Sequence, residues 1–108
     1  MPEPFRQEDP DLPYNLGIDY YEMNLIDKAI REFARAHTQG IKLVDSLSML
    51  ARCYCKKGLF HNAAGFIVQA LQLDNLTQEQ IDMLRRQLEQ IKAKIHPGDF
   101  PRFRQSDY

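Results

Sequence analysis

The fold is decided by residues 50–71, which read LARCYCKKGLFHNAAGFIVQAL. Apolar side chains recur every three to four residues on both sides of Gly58, and this spacing is typical of amphipathic helices. Glycine adopts the backbone conformation that ends a helix and reverses the chain at little cost. The stretch therefore predicts a helix, a tight turn and a second helix.

The same pattern occurs 34 residues earlier. The positions that keep their class are Leu16 and Leu50, Gly17 and Ala51, Tyr20 and Tyr54, Asn24 and Gly58, Ala29 and Ala63, Phe33 and Ile67, and Ala36 and Ala70. Small residues recur where two helices of a pair must approach closely. One pair cannot bury both of its faces alone, so we expect the pairs to stack.

This pattern, held twice over about residues 10–76, resembles the tetratricopeptide repeat family. The resemblance implies an all-α fold, a right-handed superhelix of antiparallel helix pairs, with repeats at about residues 10–43 and 44–77. Pro13 and Leu47 stand where the family has an early aromatic residue. Ile41 and Asn75 replace the proline usual at a repeat end, so the turns between repeats depart from the family pattern.

Helix signals along the chain predict five helices, at about residues 11–24, 27–38, 43–57, 60–73 and 77–96. Asp11 is the expected N-cap of the first helix, and Asn24 its stop. Thr77 and Gln80 form a capping-box pattern at the start of the fifth helix, which must end before Pro97.

The fifth helix is predicted to cap the stack. A further shift of 34 residues places Leu84 on Leu50 but Arg85 on Ala51, so the small residue that would admit another helix is missing. Its apolar stripe consists of Ile81, Leu84, Leu88, Ile91 and Ile95. We expect Ile91 and Ile95 to overhang, and the dimer face proposed from the sequence is Leu84, Leu88, Ile91 and Ile95.

Composition and charge limit the classes of partner that this chain is expected to bind. The chain has 108 residues and a formal net charge of -1, which argues against a nucleic-acid-binding surface. Residues 1–10 form an acidic, proline-rich arm and residues 97–108 a basic tail, interpreted either as solvated ends or as charge-guided docking segments. No signal peptide and no membrane-spanning apolar run is recognisable, so the cytoplasm and no membrane partner are expected.

The residues that could carry chemistry do not converge. Cys53 and Cys55 point to different faces of one helix, and His61 alone lies near them in sequence, so neither a disulfide nor a metal site is predicted. His37 and His96 lie far away, near helix ends. No catalytic set is recognisable, so we expect neither an enzyme nor a cofactor.

The resemblance implies that the first helix of each pair lines a concave groove. The residues that would face it are Tyr14, Ile18, Tyr21 and Glu22, then Asp45, Ser48, Met49, Arg52 and Lys56, and from the cap Asp82, Arg86 and Glu89. Arg52, Arg86 and Lys56 would pair with a carboxylate of an acidic peptide. Alternatively, they are solvated charges paired with the acidic residues of the same set.

The apolar residues of the groove have two interpretations. Tyr14, Ile18 and Tyr21 suit the anchors of a partner helix or extended peptide, or they contact the arm of this chain. Some family members clamp a chaperone's C-terminal carboxylate with Lys and Asn, but here Tyr14, Ile18 and Met49 occupy those positions. We therefore expect a non-enzymatic protein-interaction module, such as an adaptor, assembly factor or chaperone; the alternative is a structural unit that dimerises through the cap helix.

Overall fold

A computed structural model describes residues 9–95, which fold into five helices and contain no strand. The helices are α1 (Leu12–Glu22), α2 (Ile26–Thr38), α3 (Leu43–Lys56), α4 (Phe60–Leu71) and α5 (Gln78–Lys92). The all-α class and the five helices are confirmed. The predicted tail, His96 and most of the arm lie outside the described residues.

The helices pack as successive antiparallel pairs. The most extensive contacts join α1 to α2 and α3 to α4, followed by α2 with α3 and α4 with α5. Helix α3 also contacts α5 directly. Each helix therefore packs mainly against the helices that precede and follow it in the chain, and this packing is consistent with a stack of repeats.

Small residues let the paired helices approach closely. Gly17 is buried against the ring of Phe33, where a Cβ atom would come within 2.6 Å of a ring carbon. Ala51 and Ala63 are fully buried between α3 and α4. The predicted close contact is therefore confirmed at Gly17, and the largest buried side chains of the core include Phe33 and Ile67.

The two hairpin turns have the same backbone geometry. Asn24 and Gly58 adopt φ values of 62° and 76°, the left-handed conformation predicted for them. The amide after each turn residue then donates to a carbonyl five residues earlier, Leu25 to Tyr20 at 2.8 Å and Leu59 to Tyr54 at 2.9 Å. The internal repeat thus extends to the hydrogen bonds that end the first helix of each pair.

The capping prediction is confirmed for α5, whereas for α1 the N-cap position at Asp11 is confirmed without the expected side-chain bond. Thr77 Oγ1 accepts a hydrogen bond from the Gln80 amide at 3.0 Å, and Gln80 Oε1 accepts one from the Thr77 amide at 2.9 Å. The Asp11 side chain makes no cap bond. The Asp9 carboxylate instead accepts hydrogen bonds from the Asp11 amide and from Asn15 Nδ2, at 2.9 and 2.8 Å.

The cap helix buries more of its stripe than predicted. Leu84 is fully buried and Ile91 is only 2% exposed, because both pack into the core formed with the preceding helices. The expectation that Ile91 overhangs is therefore wrong. Leu88 and Ile95 are half-buried, and Ile95 lies beyond the end of α5 at Lys92. Of the four residues of the predicted dimer face, two belong to the core of one chain.

Candidate functional site

A pocket of about 300 Å³ opens between α1, α3 and α5. We call it the cationic pocket, and the residues that line it are Tyr21, Arg52, Cys55, Lys56, Gln87, Gln90, Ile91 and Lys94. A smaller pocket of about 180 Å³, the adjoining pocket, shares Arg52, Gln87 and Gln90 and adds Met83 and Arg86. The two pockets therefore adjoin each other on the face made by α1, α3 and α5.

The structure places some of the predicted site residues in the two pockets and others outside them. Tyr21, Arg52 and Lys56 line the cationic pocket, and Arg86 lines the adjoining one. Glu22 is exposed at the end of α1 and lines neither pocket. The four cationic and aromatic residues named here are thus brought together on one face.

Tyr14 and Ile18 lie further toward the start of α1, half-buried against the core. The Tyr14 ring meets Phe33 edge-on, with 5.6 Å between ring centroids, and Lys42 Nζ lies 5.6 Å from the Tyr14 centroid. Burial raises the pKa of the Tyr14 hydroxyl; Asp45 adds to the rise and Arg52 opposes it. Tyr14 therefore helps to pack α1 against α2 and remains partly exposed.

Ser48 joins two helices instead of facing an open groove. It is only 7% exposed, and its hydroxyl donates to Gln87 Oε1 at 2.7 Å. Gln87 Nε2 in turn donates to the backbone carbonyl of Ser48 at 3.1 Å. These two bonds link α3 to α5 beside the pocket. The Ser48 hydroxyl is therefore engaged in helix packing and does not face a ligand.

The charge of the cationic pocket is uncompensated within the described chain. Arg52, Lys56 and Lys94 line it, and none of them forms an ion pair with a carboxylate of residues 9–95. Lys56 Nζ lies 5.5 Å from the centroid of the Tyr21 ring, a cation–π contact. The alternative that these cations pair with Glu22, Asp45 or Glu89 is not found among residues 9–95; Glu89 pairs with Lys92 at 3.6 Å.

Burial also affects the thiol in the pocket. Desolvation raises the pKa of Cys55, and the nearby charges of Lys94 and Arg52 partly oppose the rise. Cys53 is fully buried, and desolvation raises its pKa to about 11. Cys53 therefore belongs to the hydrophobic core.

The α5 side of the site was largely missed by the sequence-based prediction. Met83, Gln87, Gln90 and Lys94 recur three to four residues apart, the spacing of one helix face. The sequence-based prediction named Asp82 and Glu89 instead, each one residue before a residue that lines a pocket. The family pattern does not specify how a capping helix is rotated about its axis. In the structure Asp82 accepts a hydrogen bond from Gln78 Nε2 at 3.0 Å, outside both pockets.

A third cavity, of about 470 Å³, lies where the two turns between repeats meet the starts of α3 and α5. Its lining includes both acidic and basic side chains, among them Lys42, Asp45 and Asp74. It therefore lacks the single sign of charge that distinguishes the cationic pocket. Among residues 9–95, no cluster of three or more His, Cys, Asp or Glu side chains is placed to hold a metal ion.

None of the helices described between residues 9 and 95 has the length and apolar character needed to cross a bilayer. The chain was also compared with known proteins. Neither the protein-family models nor the curated proteins contain a match to it. The function is therefore inferred from the geometry and charge of the site itself.

Proposed function

We propose that this chain is a tetratricopeptide-like interaction module that binds a peptide or helix of a partner protein. The binding surface in this proposal is the face made by α1, α3 and α5. The observation that carries the proposal is the cationic pocket, because residues of α1, α3 and the α5 region line one site. A module of this kind would act as an adaptor, an assembly factor or a chaperone.

Two further features support a binding role for this face. Tyr21 and Arg52 belong to the residue types most often found at interaction hot spots, and both line the pocket. The Ser48–Gln87 hydrogen bonds fix the spacing of α3 and α5, so less conformational entropy is lost when a ligand binds. The cytoplasmic location is proposed on the sequence alone, since the two cysteines form no disulfide framework.

Self-association through α5 is less well supported. Leu84 and Ile91 are buried within one chain, which leaves only Leu88 and Ile95 of the predicted dimer face partly accessible. Two half-buried side chains provide less apolar area than a stable symmetric interface buries. A light-scattering mass of two chains at micromolar concentration would reinstate the dimer as the leading alternative.

Selection of short random peptides displayed on phage tests the proposal without a known partner. The full chain is immobilised, and enriched peptides are measured against wild type, against Tyr21→Ala with Arg52→Glu, and against a control that changes α2 and α4, Arg31→Glu with Val68→Ala. We expect about tenfold weaker binding to the groove variant, a loss of about 1.4 kcal/mol, and unchanged binding to the control. Absence of enrichment, or equal binding to all three folded proteins, contradicts the proposal.

A further inference from the structure

The geometry points to an acidic segment of the partner, with two carboxylates close together in sequence, as the ligand of the cationic and adjoining pockets. This inference rests on the proposed function and adds the chemical class of the ligand. Arg52 lines both pockets, Lys56 and Lys94 line the cationic pocket, and Arg86 lines the adjoining one. An extended segment lying across Arg52 would place one carboxylate in each pocket.

The charge distribution favours an acidic ligand. The whole chain carries a formal net charge of -1, yet the described residues that line the two pockets include four cations and no carboxylate. Positive charge is therefore concentrated locally on a protein that is not basic overall. Arginine donates two parallel hydrogen bonds to a carboxylate, a geometry that a lysine at the same position lacks.

The cations of the pocket are accessible to a ligand. Ile91 lines the site and is only 2% exposed, whereas Arg52, Lys56 and Lys94 are exposed. Their combined positive charge would attract an acidic segment and speed its encounter with the pocket.

The size and shape of the site favour a peptide over a nucleic acid. Nucleic-acid surfaces need basic residues that follow a backbone over many phosphates, and they are usually strongly basic overall. Here the four cations line two small adjoining pockets that share Arg52. A pair of carboxylates fits this arrangement, and a single-stranded oligonucleotide serves as the competing ligand in the test.

Fluorescence anisotropy tests the inference with defined probes. The probes are a labelled peptide with alternating acidic and leucine residues, its isostere with glutamine in place of glutamate, and a labelled oligonucleotide of similar length. We expect the acidic peptide to bind at least about tenfold more tightly than the isostere. Lys94→Glu should abolish this preference, whereas Arg85→Glu, an equal charge change on the exposed side of α5, should retain it.

The outcomes separate this inference from the proposed function. The selection could instead enrich neutral apolar peptides that bind wild type and the Lys94→Glu variant equally. That result overturns the inference of an acidic ligand but leaves the proposed binding face intact. Tighter binding of the oligonucleotide than of the acidic peptide overturns it in favour of nucleic acid. If only the variant with Glu3→Gln and Glu8→Gln binds the acidic peptide, the chain's own N-terminal residues are the occupant and the partner ligand is overturned. Absence of any peptide enrichment contradicts the proposed function itself.

Discussion

Gly17 lies directly against the ring of Phe33, so that a Cβ atom on Gly17 would stand 2.6 Å from Cε1 of that ring. Phe33 is fully buried in the close-packed core, so a shift of its ring would disturb its neighbours. The contact sets the distance between α1 and α2, and with it the position of Tyr21 at the end of α1.

Gly17→Ala should lower the free energy of unfolding by about 1–3 kcal/mol, because the added methyl overpacks this contact. Gly65→Ala is the matched control: Gly65 is helical and exposed, and a Cβ atom added to it would meet no other atom within 4 Å, so alanine should stabilise the chain by about 0.5–1 kcal/mol. Urea denaturation measures both values. A Gly17→Ala variant as stable as wild type would show that the helices are not in this register.

The hydrogen bonds between Ser48 and Gln87 should be measurable as a coupling energy. Ser48→Ala and Gln87→Ala are combined in a double-mutant cycle, and we expect an interaction of about 0.5–1.5 kcal/mol, the usual net contribution of a hydrogen bond. Gln90→Ala in place of Gln87→Ala is the control, since Gln90 lines the same pocket without bonding to Ser48. Additive effects in both cycles would mean that the α3–α5 link does not form.

Asp27 and Lys57 form an exposed ion pair across the two hairpins, with Lys57 Nζ 2.5 Å from Asp27 Oδ1. The hydrogen bond from Lys57 lowers the pKa of Asp27, and the same bond raises the pKa of Lys57. The stabilisation by Asp27 is therefore present above its ordinary pKa of 3.8 and is lost as the pH falls through its lowered value. That by Lys57 is present below 10.5 and is lost as the pH rises through its raised value.

A carbon-13 NMR titration of the Asp27 carboxyl group measures this effect. In Lys57→Met the pKa of Asp27 should return toward 3.8, whereas Arg31→Met should cause a smaller change, because Arg31 makes the weakest contribution to the shift. Identical titration curves for wild type and Lys57→Met would rule out the ion pair in solution.

The two cysteines should differ in reactivity. Cys53 is fully buried with a pKa of about 11, whereas Cys55 is half-buried and lines the cationic pocket. Iodoacetamide should therefore alkylate Cys55 first and Cys53 only on unfolding, since the thiolate is the reactive form and must be accessible. Mass spectrometry of digested protein, with a urea-unfolded sample as the control, follows both sites. Modification of Cys53 ahead of Cys55 would contradict the placement of α3.

The sequence predicted the fold where the signal is local or repeated. The 34-residue shift identified the close contact at Gly17, and the residue types at Asn24 and Gly58 identified the turns. The burial of Ile91 was not predictable, because an apolar stripe does not show how far along a cap helix its neighbours extend. The Ser48–Gln87 bonds join residues 39 apart in sequence, and neither side chain carries a signal for the other.

The candidate site was only partly predictable from the sequence, because α5 follows the repeat only in part. Tyr21, Arg52 and Lys56 were found because repeats place equivalent residues in register, whereas Lys94 and Gln90 belong to a segment that follows the repeat only partly. The rotation of α5 is fixed by Leu84 and Ile91 in the core. Once these two positions are known to be buried, the α5 face that lines the pocket follows from helical spacing.

In the proposed function, the face made by α1, α3 and α5 binds partner segments. The most direct measurement is a two-dimensional ¹H–¹⁵N NMR titration of the full chain with a peptide enriched in the display selection. We predict that the amide shifts of Tyr21, Arg52, Lys56 and Lys94 change most. Shifts concentrated on the exposed surface of α2 and α4, around Arg31 and Val68, would contradict the claim.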